Sequence, residues 1–164
     1  LVGNLTVGGT TTIGGAVSIA GALSVGGAAH FASTVTIVGN TTLTGTLGVA
    51  GIATFGKTVL AKTTSSTING SQVLDFAANQ NFIITLNGNL TLANPSTEQV
   101  GQSGIIVCIQ DATGSRTLSL GTDYETAGGA GITLSTAGAA VDIIPYFVQA
   151  ADNIQLGAVQ LAFS

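Results

Sequence analysis

The chain has 164 residues and a formal net charge of −4, with 3 basic and 7 acidic side chains. Only 6% of its residues are charged, 45% are hydrophobic and 24 residues are glycine. This composition excludes disorder by charge repulsion, which needs many charges and few apolar residues. Nucleic-acid binding is not expected either, because it requires a basic surface.

A membrane-spanning helix is not expected either. Such a helix needs about 18 consecutive apolar residues, and Thr, Ser or Gly interrupts every long apolar stretch. The chain begins with Leu rather than Met, which indicates a processed chain or a piece of a longer protein. We therefore expect no membrane insertion and make no prediction from the chain ends.

A six-residue repeat fills the first third of the chain. Its glycines stand at positions 3, 9, 15, 21, 27, 39, 45 and 51. Each hexad also carries a large apolar residue, with a second apolar or small residue two positions earlier and Thr or Ser between them in most hexads. The large apolar residues are Val7, Ile13, Ile19, Val25, Phe31, Ile37, Leu43, Val49 and Phe55.

Apolar–polar–apolar alternation predicts a very short strand in each hexad, and the small residue followed by Gly predicts a sharp bend. Residues 1–62 are therefore predicted to form a hexapeptide-repeat β-helical stem, which is stable only by stacking on copies of itself. One chain can coil as a thin β-helix, or three chains can intertwine. Residues 1–56 contain no Asp, Glu, Lys or Arg to protect exposed edges, which favours the intertwined trimer.

The repeat ends near Lys62, and residues 63–75 are predicted to be a linker because they are rich in Thr and Ser. Residues 76–164 are predicted to form a β-sandwich or jelly-roll-like domain. Asn87-Gly88 predicts a hairpin turn between two of its strands. The predicted strands are Val73–Phe76, Phe82–Leu86, Asn89–Ala93, Gly104–Gln110, Thr117–Leu120, Val141–Gln149 and Asn153–Phe163. The whole chain is thus predicted to be all-β.

Two parts of the chain resemble a known family. The string QDATGSRTL at 110–118, followed by GITLSTA at 131–137 and AVDII at 140–144, is similar to the C-terminal domain of tailed-phage tail fibres. The Gly- and Thr-rich hexads resemble the stems of the same fibres. The resemblance implies a homotrimeric fibre of a phage virion, located extracellularly on the tail, with the stem first and a globular tip last. It also implies contacts with other tail or baseplate proteins and with a host-surface receptor.

Two other functions remain open at this stage. A polymerising bacterial or archaeal surface filament would use the hexads to join subunits end to end. A hexapeptide-repeat acyltransferase would need His30, the only histidine, as a general base. His30 stands in the outward Thr/Ser column of its hexad, which favours a surface role.

The remaining reactive side chains are each better explained by structure than by chemistry. Cys108 lies in an alternating apolar run and is predicted to be a buried thiol. Asp123 and Glu125 are spaced to share a strand face, where paired carboxylates could bind Ca²⁺ or cleave glycosides, but a solvated loop is favoured. Arg116 is expected to pair with Asp111 or a neighbouring chain, and Asp142 lies elsewhere in the domain.

Two further motifs carry no predicted function. Gly128–Gly131 lacks the strand-to-helix context and the Lys of a phosphate loop. Glycosylation sequons at Asn4, Asn40, Asn69 and Asn89 arise by chance in so Thr-rich a chain. We therefore predict no catalytic, cofactor-binding or metal-binding residue, and no enzymatic activity.

Overall fold

In the computed structural model, which describes residues 7–163, the chain divides into two units between Ala53 and Thr54. The first unit follows the six-residue repeat. Its backbone bends once per hexad, in most hexads at a glycine, and the bends continue to residue 57. They fall at 8–9, 14–15, 20–21, 26–27, 32–33, 39, 44–45, 50–51 and 56–57.

The segments between bends do not pair with one another. Residues 7–60 are all exposed, and residues 7–62 form no strand. The apolar column residue Ile37 is 62% exposed, whereas Val38 beside it is 97% exposed. The repeat therefore sets the local backbone geometry, while its apolar side chains stay without a partner in the single chain.

The second unit contains eight strands and one turn of 3-10 helix at Ala127–Gly129. Residues 7–163 form no α-helix, so the all-β prediction is confirmed for the described chain. The strands are β1 Thr63–Val73, β2 Asn81–Ala93, β3 Ser103–Gln110, β4 Leu118–Leu120, β5 Tyr124–Thr126, β6 Val141–Ala150, β7 Asn153–Leu156 and β8 Gln160–Phe163.

These strands form one curled sheet in the order β1-β2-β3-β6-β7-β5, with β4 added to β2 and β8 added to β6. The pairs β1–β2, β2–β3, β2–β4 and β5–β7 are parallel, and the remaining pairs are antiparallel. The short segment 118–126 carries both β4, on β2, and β5, on β7. The sheet therefore curls back on itself, and it is not the two-layer sandwich that the strand spacing predicts.

The connections between the parallel strands β1 and β2, and between β2 and β3, contain no helix. Residues 74–80 lead from β1 to β2, and residues 94–102 lead from β2 to β3. Leu74 and Phe76 in the first connection are buried in the core. Phe76 packs against Phe82 and Tyr146, with ring centroids 5.1 and 5.2 Å away. The first connection thus lies against the inner face of the sheet and supplies part of its core.

Alternation along the strands separates an inner from an outer face. In β2, β3 and β6 every second residue is buried, as expected for strands with one face in a core. The core includes aliphatic residues from all three strands together with Phe76, Tyr124 and Tyr146. The intervening residues of β3 and β6 face outward and are only partly covered.

The hairpin predicted at Asn87-Gly88 is wrong, because β2 runs through both residues. The register of β1 against β2 changes there from Ile68–Leu86 to Gly70–Leu90, so β2 gains two residues. A Cβ on Gly88 would lie 3.0 Å from the Cβ of Asn69. The glycine therefore allows a bulge against β1, and the partners of β2 come from elsewhere in the chain.

The other predicted boundaries differ from the structure in a few places. The predicted linker 63–75 is largely strand β1, because its backbone pairs in parallel with β2 from Thr63 to Val73. The predicted strand Asn153–Phe163 is split into β7 and β8 at Gly157, which lies against Pro145. The predicted strands Gly104–Gln110 and Val141–Gln149 are confirmed as β3 and β6.

Candidate functional site

The loop after β3 is held by two side chains at its start. One carboxylate oxygen of Asp111 accepts hydrogen bonds from the amides of Thr113 (3.0 Å) and Gly114 (2.9 Å). The other accepts two from the Arg116 guanidinium, at 3.0 and 2.7 Å. The buried Gln110 side chain donates to the Arg116 carbonyl (2.9 Å) and accepts from its amide (2.8 Å). The hydrogen-bonded guanidinium holds the pKa of Asp111 below its usual value.

This loop interlocks with the segment before β6. The Ser115 amide donates to the Thr136 carbonyl at 2.9 Å. A Cβ on Gly114 would clash with the same carbonyl, and one on Gly138 would lie 2.5 Å from the Ala112 carbonyl. Residues 110–118 (QDATGSRTL) therefore pack against the Thr- and Ala-rich segment 131–140. We call such a hydrogen-bonded contact between two segments a joint. The expected Asp111–Arg116 pair is confirmed within this joint, at 2.7 Å.

A second joint is centred on Asp142, whose side chain is fully buried. Its carboxylate accepts hydrogen bonds from the Ser135 amide and hydroxyl, both at 2.7 Å, and from the Ala162 amide at 2.9 Å. These bonds connect β6 to the preceding segment and to β8. Asp142 is thus a structural residue, since its acceptor oxygens are used to hold the fold.

The only cysteine is inert in the folded domain. Cys108 lies opposite Asp142 in the β3–β6 pair and is 1% exposed. Burial, with a smaller effect from the negative charge of Asp142, raises the pKa of its thiol to about 12. Because the thiolate is the reactive form, this environment suits packing rather than nucleophilic chemistry.

The two carboxylates at 123 and 125 do not share one environment. Asp123 is buried just before β5 and its amide donates to the Asn94 side chain at 3.2 Å, whereas Glu125 is exposed. Tyr124 is buried between them, and burial together with the charges of Asp123 and Glu98 raises the pKa of its hydroxyl. Among residues 7–163, no group of three His, Cys, Asp or Glu side chains could hold a metal ion.

His30 lies exposed in the first unit. No Asp, Glu, Lys or Arg occurs in residues 1–53, so no charged residue of that unit can orient the imidazole or share its proton. Gly128–Gly131 forms an exposed surface loop in which Gly128, Gly129 and Gly131 have φ between 65 and 72°. The loop continues into no α-helix, so it differs from a phosphate-binding loop.

The Gly-rich loop borders a group of adjoining clefts on the domain surface. Clefts of about 170, 230 and 380 Å³ meet at Thr126. Their walls come from β5, the loop 127–131 and the segment 156–159, with Glu125 as the charged side chain. Thr126 accepts a hydrogen bond from the Gly131 amide at 2.9 Å, which fixes the loop. Backbone groups, a hydroxyl and one carboxylate are thus available to a ligand.

Sequence reasoning did not find this surface. Its residues come from three separated segments, of which the sequence singles out only the glycine run and Glu125. A possible signal was the run Ala127–Gly131, whose glycines reach left-handed backbone conformations that other residues avoid. The partner segment 156–159 carries no comparable signal, because it joins the surface only through the β5–β7 pairing.

Comparison with known protein families gives a match within the second unit. Residues 75–152 match the family described as "Putative phage tail fibre C-terminal domain". The resemblance to phage tail fibres is confirmed. The match includes β2 to β6 and the joint at Asp111, but it ends before β7 and before Ala162, which belongs to the joint at Asp142. No curated protein and no solved structure matched the chain.

The tail fibre domain places the protein in the tail appendage of the virion, where its role is structural. A tail fibre protein associates with other proteins of the virion tail, so these are its partners. No helix among the described residues is long and apolar enough to cross a membrane.

Proposed function

We propose that the chain is a segment of a homotrimeric tail fibre, in which a repeat stem spaces a C-terminal domain that contacts the host surface. The observation that carries this proposal is the exposure of the apolar columns in the first unit. Val7, Ile13, Ile19 and their equivalents are about half exposed or more. Apolar side chains repeated at this density need a partner with the same period.

The partner that fits this period best is the same stem in two other chains. A single-chain β-helix would bury these columns within residues 7–62, yet this segment forms no strand with itself. Its bends and small residues instead allow other chains to approach closely. Three copies would pair the edges between chains and enclose the apolar columns on a common axis.

We also propose that the fibre acts by reach and recognition, without catalytic turnover. The buried thiol of Cys108, the engaged carboxylate of Asp111 and the isolated His30 support this view. Host contact is assigned to the clefts around Thr126, since surface loops on a rigid sheet are common binding sites. Three such sites on one particle would gain avidity from their high effective concentration.

Assembly is tested by the mass of the purified chain, measured by light scattering and accompanied by negative-stain images. A discrete species of three chains supports the fibre. Polydisperse filaments would replace it with the polymerising surface filament, and a monomer would contradict both assemblies. Acyl transfer from acyl-coenzyme A that is lost in His30→Ala would contradict the non-catalytic role.

Host contact is tested with Ala127→Arg, which adds a large side chain in the clefts, using binding of fluorescent protein to host cells. Ala77→Arg is the matched control, because Ala77 is an exposed residue outside the clefts. We expect binding to fall at least about tenfold for Ala127→Arg alone, equivalent to a loss of about 1.4 kcal/mol. Equal binding by both variants would remove the clefts as the contact surface.

A further inference from the structure

The outer side of β3 and β6 carries a continuous apolar surface. The two strands are antiparallel, so directly opposed residues point to the same side of the sheet. The pairs Ile106–Ile144 and Cys108–Asp142 point inward and are buried. The pairs between them point outward and form what we call the outer apolar face: Ile105–Pro145, Val107–Ile143 and Ile109–Val141.

The strands that flank the outer apolar face carry no charged side chain. Phe147, 45% exposed, extends it along β6, and Ile83 extends it onto β2 opposite Val107. On the β1 side the outward residues are Thr and Ser, and on β7 Gln155 is hydrogen-bonded to Gln149 at 2.8 Å. An apolar centre with a polar rim is the usual anatomy of a protein–protein interface.

We infer that the outer apolar face is the threefold interface of the C-terminal domain, occupied by the same face of two further copies of this chain. This inference rests on the proposed trimer. The stem requires partners with its own six-residue period, and these partners bring their own C-terminal domains with them. Tethered copies are present at high effective concentration, so they reach this face before a separate protein does.

The chemistry of the face fits three copies meeting at an axis. The face has no charged side chain, so no like charges oppose one another when identical surfaces meet. Its β-branched residues and proline lose little conformational freedom on packing, which lowers the entropic cost of association. None of the acidic side chains of the domain is part of the face: Asp142 in β6 points inward and is buried, and Asp111 follows the end of β3.

Proximity of labels in the full-length chain tests the inference. Phe147→Cys places a thiol beside the face, and Ala77→Cys, on the connection that covers the opposite side of the sheet, is the matched control. Each variant is labelled with pyrene maleimide, whose excimer emission requires two rings in contact. Cys108 is buried and should not react with the label in the folded protein. Treating the unsubstituted chain with pyrene maleimide verifies this.

Light scattering on the same samples separates the possible failures. A three-chain mass with excimer emission from Phe147→Cys, and at least fivefold less from Ala77→Cys, supports the interface. A three-chain mass without excimer from Phe147→Cys, or with excimer only from Ala77→Cys, overturns the inference and leaves the trimeric fibre standing. A monomeric mass overturns both the inference and the proposed assembly.

Discussion

Asp142 shows how one buried polar residue organises the end of the domain. It lies in β6 among apolar neighbours, yet it accepts three hydrogen bonds, from the Ser135 amide and hydroxyl and the Ala162 amide. Asp111 does the same at the surface for the loop after β3. Both carboxylates accept hydrogen bonds from backbone amides, and backbone groups left without a partner are costly when buried.

Removing the Asp142 carboxylate should destabilise the domain strongly. Asp142→Ala leaves three donors without their acceptor, and we expect the free energy of unfolding to fall by about 3 kcal/mol or more. Urea denaturation monitored by circular dichroism measures this change. Glu125→Ala removes an exposed carboxylate and should change it by less than about 0.5 kcal/mol. Similar losses from both variants would show that the Asp142 joint carries little stability.

The Asp111–Arg116 pair should make stability depend on acid pH. Since the pKa of Asp111 is lowered in the folded state, its contribution is present above the unfolded pKa of about 3.9. It is lost as the pH falls through the lowered, folded pKa. Arg116→Gln should therefore be less stable than the unsubstituted chain at neutral pH, and the difference should shrink below about pH 4.

Urea midpoints measured from neutral to acid pH test this prediction, with Asp111→Asn as the companion variant. Asp111→Asn should lose the same acid-dependent part of the stability, since it cannot ionise. A constant difference between Arg116→Gln and the unsubstituted chain across the pH range would mean that the pair acts through packing alone.

At the scale of elements, close backbone contacts decide which strands pair. Strand propensity alone does not predict the pairing of the strands, because β2 contains an Asn-Gly pair that typically marks a turn. The long parallel β1–β2 pair accommodates this dipeptide as a bulge. The connection 74–80 then lies close enough to β3 that Gln80 bonds to the Ser103 carbonyl at 2.8 Å.

Gly104 in β3 is a position where this close approach can be measured. A Cβ there would clash with the Gln80 carbonyl and would lie 2.9 Å from the Tyr146 ring and hydroxyl. Gly104→Ala should therefore lower the free energy of unfolding by about 2 kcal/mol or more. Ser103→Ala, at the exposed neighbouring position, is the control and should be nearly neutral. A neutral Gly104→Ala in the same urea assay would show that the connection moves freely.

At the scale of the whole molecule, the proposed trimer would affect the stability of the two units in different ways. The first unit has no core of its own, since residues 7–60 are exposed in the single chain. The second unit has a core and leaves one outer apolar face. Assembly should therefore contribute most of the stability of the stem and only part of the stability of the C-terminal domain.

Substitutions at two adjacent stem residues distinguish a specific loss of assembly from a general effect of an added charge. Ile37 stands in the apolar column and is 62% exposed, whereas Val38 is 97% exposed. Ile37→Asp would place three carboxylates against each other in the proposed trimer, and we expect the melting temperature of the assembly to fall on the order of 10 °C. Val38→Asp should leave it unchanged.

Thermal denaturation with light scattering on the same samples checks the Ile37 and Val38 variants. If Val38→Asp weakens the assembly as much as Ile37→Asp, the apolar column is not the contact between chains. If neither variant changes the melting temperature or the mass, the stem does not hold the chains together.

The sequence by itself determined whatever depends on local periodicity. The six-residue glycine spacing set the bends of the first unit, and two-residue alternation located β3 and β6 with their buried faces. Cys108 was correctly assigned to the core and Arg116 to Asp111, because both follow from neighbours within a few residues. The resemblance of the later motifs also led to the tail fibre family.

Only the tertiary structure decided which segments meet. The bulge at Asn87-Gly88, the curled sheet closed by residues 118–126 and the two loop joints depend on pairings between residues far apart in the chain. The clefts around Thr126 arise in the same way, from three segments joined by β5–β7 pairing. Local propensity carries no record of such contacts, since backbone groups of any residue can satisfy them.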